Sequence, residues 1–329
     1  MKMERTPKII CWLLTIGVIY GLNFPVASGN TFRVETHNVV IDQAGRKIVV
    51  TEPHHRIISL YGAHTENLFA LGLDREIIGV SRHEDHPPRA LKKPVFSYHD
   101  DPEKFLAAHP DLVLIRPMID RGYPQFVARL EKSGITVVSL QPGTVDEMYT
   151  YWQILGVLTG RQDHALRMVA NFQKAVLEFN TLTASIAVRK KVYFEAIHNK
   201  MKTFSPDSMA VFALETAGGI NIAADAIPVR KTNIAYYGKE RILSRAAEID
   251  VYLAQSGTMN QPSVSLIKNE PGYQVIKAVH HNQIYIVDER IISRPTYRLL
   301  AGITEIGKIL YPEVFGENGQ KIINRAGRF

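Results

Sequence analysis

From Arg56 to Val287 short β-branched runs alternate with helical patterns, and no other feature of this sequence limits the fold so strongly. In the first half, apolar runs at residues 56–60, 77–80, 112–115 and 136–140 are separated by helical patterns, clearest over 101–108 and 121–132. The second half repeats this outline, with runs at 191–196, 251–254 and 283–287 and helical patterns over 207–217, 238–246, 263–268, 273–279 and 295–310. Such a series calls for parallel strands joined by crossover helices, an α/β layer fold. A hairpin precedes it, with two β-rich runs over 37–50 around Asp42-Gln43-Ala44-Gly45-Arg46.

A helical stretch from Val145 to about Val188, with Gly156 and Gly160 as interruptions, separates the two series. Ala165, Val169, Phe172, Val176 and Phe179 recur at steps of four and three, which gives that helix one apolar stripe and a charged opposite face. A helix of about 25 residues is about 40 Å long, enough to run along a whole lobe. The expected architecture is therefore two α/β lobes with central, mostly parallel sheets flanked by helices, bridged by one long rigid helix. The boundaries are an N-terminal lobe over 30–160, a bridge over 161–188 and a C-terminal lobe over 189–329.

Residues 1–29 have the layout of a signal peptide: basic Lys2, Arg5 and Lys8, an apolar stretch from Ile9 to about Phe24, then small residues at Val26-Ala27-Ser28-Gly29. Cleavage is expected after Ser28 or Gly29, with an uncleaved anchor as the alternative. Cys11, the only cysteine, stands at the start of the apolar stretch and not at a cleavage point, so a lipoprotein is not expected. The mature chain then has no disulfide and no thiolate metal site. Its charge falls from +7 to about +5 on loss of three Lys/Arg and one Glu, without a basic run of the nucleic-acid kind.

An ordered set of motifs resembles the periplasmic substrate-binding proteins of ABC importers for ferric siderophores, haem and vitamin B12. The set runs from the Asp42–Arg46 turn through Arg56-Ile57-Ile58-Ser59-Leu60, Thr65-Glu66, Ala70-Leu71-Gly72 and Ile78-Gly79-Val80-Ser81 to Asp85-His86-Pro87-Pro88. It continues with Pro110-Asp111-Leu112-Val113-Leu114, Gly218-Gly219-Ile220-Asn221 and Ser293-Arg294-Pro295. The resemblance implies a monomeric carrier in the periplasm with no cofactor of its own, serving an inner-membrane permease and its ATPase. It also implies that Glu103 and Glu240 dock that permease, each paired with permease arginines; both equally suit a helix first turn.

Ligands of open α/β sheets bind beyond the carboxyl ends of the strands. That rule selects Tyr61 and His64 after the first strand, Arg82 and His83 after the second, and Arg116 after the third. In the second lobe it selects His198, and Arg294 at the strand-to-helix turn; Tyr236 precedes Glu240. By the resemblance, His83 occupies the place of a ligand-contacting tyrosine, and Tyr98 lies in a loop that supplies a haem-ligating tyrosine in some members. A tyrosine would stack on a flat ligand face, and arginines would fork carboxylate or catecholate oxygens. The basic candidates favour an anionic ferric siderophore or haem over cobalamin.

The rival from another class is a periplasmic metal-dependent hydrolase built on His83 and His86. His83-Glu84-Asp85-His86 lacks the His-Glu-x-x-His spacing that puts two imidazoles on one helical face, and the doublets His54-His55 and His280-His281 point neighbouring side chains apart. No nucleophile elbow and no phosphate-cradling loop occurs. The sequence therefore assigns no catalytic residue and no metal ligand.

Overall fold

A computed structural model describes residues 32–82, 84–229 and 232–327. The expected signal peptide with Cys11 lies outside the described residues, as does His83. The chain enters through a small antiparallel sheet of β1 (Arg33–Thr36), β2 (Val39–Ile41) and β3 (Lys47–Val49), one strand more than the expected hairpin. The buried Asp42 carboxylate accepts from the backbone N–H of Ala44, Arg46 and Ser139, and the last of these bonds ties the turn to the next sheet.

The first lobe follows as β4 (Ile57–Ser59), α1 (Gly62–Ala70), β5 (Ile77–Val80), α2 (Pro102–Ala108), β6 (Leu112–Ile115), α3 (Pro117–Gly122), α4 (Pro124–Lys132) and β7 (Thr136–Ser139). Its sheet has the order β5-β4-β6-β7 and every pairing is parallel. Burial on both faces explains why β6 reads as an unbroken apolar run. Because the strands are parallel, their carboxyl ends share one edge.

Two helices make the spine. The first, α5 (Val145–Thr159), begins at Thr144, whose side chain accepts from the Glu147 N–H. It ends at Gly160, where φ of 65° suits glycine. The second, α6 (Gln162–Thr183), has 22 residues and is about 33 Å long. Gly156 does not interrupt α5: a Cβ there would come within 2.7 Å of the Ala165 Cβ, so this glycine lets the two helices touch.

The second lobe contains β8 (Lys191–Ile197), β9 (Lys202–Phe204), α7 (Met209–Thr216), β10 (Ile220–Asn221), β11 (Ile227–Pro228), β12 (Ile234–Tyr236) and α8 (Lys239–Ser244). It continues with β13 (Val251–Ser256), α9 (Val264–Lys268), α10 (Lys277–His280), β14 (Ile284–Asp288) and α11 (Glu289–Ile292), then closes with α12 (Leu299–Leu310), α13 (Pro312–Phe315) and α14 (Asn318–Ala326). Here β10, β8, β13 and β14 pair in parallel, while β9, β12 and β11 extend the sheet antiparallel. Helix α6 packs on α5 at one end and on α7, α12 and α14 further along. One apolar cluster runs from Phe32 through Trp152, Phe172 and Phe179 to Leu310 and Ala326, so the spine joins both halves in a shared core.

Candidate functional site

The chain leaves β4 and enters α1 without a loop. Tyr61 is the N-cap residue, in extended backbone, and the helix is already running at Gly62. The Tyr61 ring stays half-buried at the strand tip. Arg116, the N-cap of α3 after β6, lays its guanidinium 4.8 Å from the ring centroid and donates from Nη2 to Met118 Sδ at 2.6 Å. Burial pushes the Tyr61 hydroxyl above its usual range, against the pull of Arg116 and Arg294, so at neutral pH it stays protonated and able to donate.

His64 does not reach this wall. It is fully buried, with Nδ1 2.7 Å from the Tyr151 hydroxyl and Nε2 3.1 Å from the Ile115 carbonyl. Burial drives its pKa down to about 3, so it is a neutral core residue with both nitrogens occupied. The expected ligand contact is corrected: an early helix start turns His64 inward. Arg82 follows β5 and is exposed, and its charge bears on Asp100, in the loop of Tyr98. Tyr98 is half-buried in a cluster with His99 and Tyr123, with ring centroids 4.3 and 4.8 Å away.

The second wall is built around the segment between α11 and α12. Arg294 Nη1 donates to Glu66 Oε1 at 2.9 Å, and Arg298 Nη1 donates to Glu66 Oε2 at 3.4 Å. Asn67 donates to the Pro295 carbonyl at 2.8 Å, and the Trp152 indole N–H reaches the same oxygen at 3.4 Å. Nearby, Arg290 bonds both Asp85 of the first lobe and Asp288. A cavity of about 510 Å³ opens between the lobes here, lined by Arg290, Arg294, Asp85, Asp288, Glu289 and Glu305 among others. Arg294, which lines this cavity, also stands beside Gly62 and so close to Tyr61, whereas Tyr61 and Arg116 are not among the lining residues. Tyr61 has both guanidinium groups as electrostatic neighbours, and Glu289 as well.

Other expected contacts fall elsewhere. His198 is buried just after β8, with Nδ1 2.8 Å from Glu195 and Nε2 3.6 Å from Glu270. Glu195 also accepts from Tyr252 and Asn260, and its bond to His198 raises the imidazole pKa. The ligand role expected of His198 is corrected too: its ring belongs to a polar cluster inside the second lobe. Tyr236 is exposed on β12 beneath the Lys202 ammonium, 4.6 Å from the ring centroid, and does not line the cavity. Glu103 is exposed in the first turn of α2 but held by Arg129 at 2.6 Å; Glu240, exposed in the first turn of α8, has no ion pair among the described residues.

Sequence reasoning missed the carboxylates that set the electrostatics of the gap: Glu66, Glu84, Asp288, Glu289 and Glu305. A signal existed for Glu66. Every residue from Gly62 to Phe69 is buried, so a helix with no wet face carries Thr65, Glu66 and Asn67, and such groups need partners from elsewhere. Among the described residues, no group of three or more His, Cys, Asp or Glu side chains could hold a metal ion.

A family model described as "periplasmic binding protein" matches residues 57–291. An uncharacterized ABC transporter substrate-binding lipoprotein of Bacillus subtilis is 24% identical over 291 residues, covering 87% of this chain and 89% of that protein. The vitamin B12-binding protein of Vibrio cholerae is 25% identical over 258 residues, covering 77% of this chain and 88% of its own. Among solved structures, one described as a possible iron-binding, periplasmic solute-binding protein of Staphylococcus epidermidis has a TM-score of 0.69 and 26% identity, covering 79% of this chain and 100% of its own.

Proposed function

The chain belongs to the periplasmic binding protein family, and from that premise we propose that it is the substrate-binding component of an ABC importer. It captures a bulky metal chelate between its lobes and delivers it to an inner-membrane permease and its ATPase. The observation that carries this reading is the proximity of Tyr61, Arg116 and Arg294, brought together from the ends of β4 and β6 in one lobe and the segment between α11 and α12 in the other, beside a cavity that Arg294 lines. Tyr61 offers a flat face, and Arg116, with no carboxylate partner among the described residues, offers a planar fork for chelate oxygens. These features suit a ferric siderophore or haem. A corrinoid is the second reading, favoured by the neutralisation of Arg294 by Glu66 and by the likeness to a vitamin B12-binding relative.

Glu103 and Glu240 dock the permease, with Glu103 exchanging its Arg129 partner for a permease cation. The carrier is a monomer without a resident cofactor or nucleic-acid partner, exported by a cleaved signal. The Bacillus subtilis relative is named a lipoprotein, whereas Cys11 here stands at the start of the apolar stretch and not at its cleavage end, which favours a carrier without a lipid anchor. No helix among the described residues is long and apolar enough to cross a membrane.

The test is titration of Trp152 fluorescence with haem, cobalamin and a panel of ferric siderophores. Trp152 is the only tryptophan among the described residues and touches the Pro295 carbonyl between the lobes. Saturable binding of one of these chelates at micromolar concentration or below is expected. Failure of all of them, with stoichiometric zinc retained through purification, would instead favour the hydrolase.

A further inference from the structure

Resting on the carrier reading for its use but not for its geometry, we infer that His198 is a proton-operated latch inside the second lobe. As an imidazolium it ties the cavity-wall segment 257–260 to helix α8, whose first turn presents Glu240. His198 follows β8, and its ring stands between two carboxylates: Nδ1 lies 2.8 Å from Glu195 Oε2, and Nε2 lies 3.6 Å from Glu270 Oε2. The His198 side chain is 7% exposed, that of Glu195 1% and that of Glu270 18%, so water screens them little. Nε2 is buried without a hydrogen-bond partner among the described residues. A neutral ring that donates Nδ1–H to Glu195 turns the Nε2 lone pair toward Glu270, and the two repel. Protonation puts an N–H on both nitrogens, and both contacts become charge-assisted.

Each carboxylate leads to a different part of the lobe. Glu195 Oε1 accepts from Asn260 Nδ2 at 3.3 Å, and Asn260 Oδ1 accepts from the His198 backbone N–H at 3.0 Å. The Asn260 carbonyl in turn accepts from the Gly257 N–H at 2.7 Å, and Gly257 and Thr258 line the cavity. On the other side Glu270 Oε1 accepts from Lys239 Nζ at 2.5 Å, and Lys239 opens α8 next to Glu240. The backbone takes the same route: Met201 donates to the His198 carbonyl and Gly238, the N-cap of α8, donates to the Met201 carbonyl, both at 3.0 Å. The other titratable groups around the ring, among the described residues, are Tyr252, which donates to Glu195, and Tyr273, with its ring centroid 6.4 Å away. Burial raises both hydroxyls, so they stay neutral. Glu195 and Glu270 against Lys239 leave the cluster one negative charge in excess, and the imidazolium balances it. The bond to Glu195, aided by Glu270 and opposed by burial and by Lys239, raises the imidazole pKa above its ordinary 6.5. The latch therefore holds below pH 6.5 and is released as pH rises through the higher folded value. On the carrier reading, alkaline pH loosens the docking turn of Glu240 and the cavity wall together.

The experiment uses the full mature chain without ligand. An NMR titration of the His198 imidazole, assigned through its backbone resonances, should give a midpoint above 6.5 that falls in Glu270→Gln. Hydrogen exchange is read by mass spectrometry as protection factors, so that the pH dependence of intrinsic exchange cancels. Between about pH 6 and about pH 9, protection of the peptides over 238–244 and 257–262 should drop together, by about fivefold or more, while a peptide over 124–132 in the first lobe holds steady. Glu270→Gln keeps the fold, because that side chain retains a path to water, and should remove most of the drop. The latch is overturned by a midpoint at or below 6.5, by a drop in only one of the two peptides, by an equal drop over 124–132, or by an undiminished drop in Glu270→Gln. None of these readouts needs a chelate, so each such result leaves the carrier reading standing. Failure of the Trp152 titrations instead removes the docking role and leaves the latch to these measurements.

Discussion

Replacing Glu66 by glutamine tests whether the two lobes are tied together by charge. The Glu66 side chain is 3% exposed and lies between Arg294, 19% exposed, and Arg298, 26% exposed, both from the other lobe. Burial works to raise its pKa, and the two guanidinium groups work against that. Removing one partner of a fully buried ion pair costs ~3–5 kcal/mol, and an exposed pair is worth ~0–1 kcal/mol. Here the carboxylate is buried while both arginines retain a path to water, so a loss of about 2 kcal/mol is expected. The assay is urea unfolding followed by Trp152 fluorescence, in a cycle of Glu66→Gln, Arg294→Gln and the double variant. The coupling energy should be about 1–2 kcal/mol, because the groups are in direct contact. If the single variant lies within about 0.5 kcal/mol of wild type and the cycle shows no coupling, the tie is a surface ornament and the reasoning fails.

Stability should also fall in acid through His64. Its folded pKa of about 3 lies below its ordinary value of 6.5, so the unfolded chain binds the extra proton and the contribution is lost as pH falls below 6.5. From pH 6.5 to 5 the loss is ~2 kcal/mol, and the difference in unfolding free energy between wild type and His64→Gln should show that slope; a flat difference refutes the assignment. Glu84 acts in the opposite sense: burial raises its folded pKa to about 7, so between that value and 4.5 it gains stability as pH falls, and Glu84→Gln should steepen the acid loss seen by the same method. Tyr61→Ala and Arg116→Ala should each weaken chelate binding at least tenfold by calorimetry with little change in stability. Gly156→Ala forces apart α5 and α6, where the new Cβ would meet the Ala165 Cβ at 2.7 Å, and should cost ~1–3 kcal/mol in urea unfolding.

The sheet strands of both lobes were legible because burial on both faces makes them short apolar runs with a sharp end. Residues 77–80 and 112–115 are strands with those same limits. Strands β9, β11 and β12 were not legible: each has two or three residues, and Ile227 and Tyr236 are exposed, so no alternation accumulates. The helix expected over 121–132 divides into α3 and α4 because Pro124 has no N–H to continue the first helix and suits the start of the second.

The site divides along the same physical line. Which residues stand at strand tips follows from local pattern, and so the positions of Tyr61 after β4 and Arg116 after β6 were legible, whereas α11 intervenes between β14 and Arg294. Whether a residue at a tip faces outward depends on one or two residues of helix start, a margin that pattern reading does not resolve. His64 turns into the core because α1 begins at Gly62, and His198 because the turn after β8 folds back on Glu195. Charge is harder still, since a cationic side chain signals a basic cleft only while it is unpaired. Glu66 is 228 positions from Arg294 in the chain, and Asp85 is 205 from Arg290. Arg294 looked like an anion ligand because its partner is set by how the lobes meet. The sign of the field in the gap is therefore a property of the assembled fold, whereas Arg116, whose guanidinium lies over a ring and not against a carboxylate, has no such distant partner among the described residues.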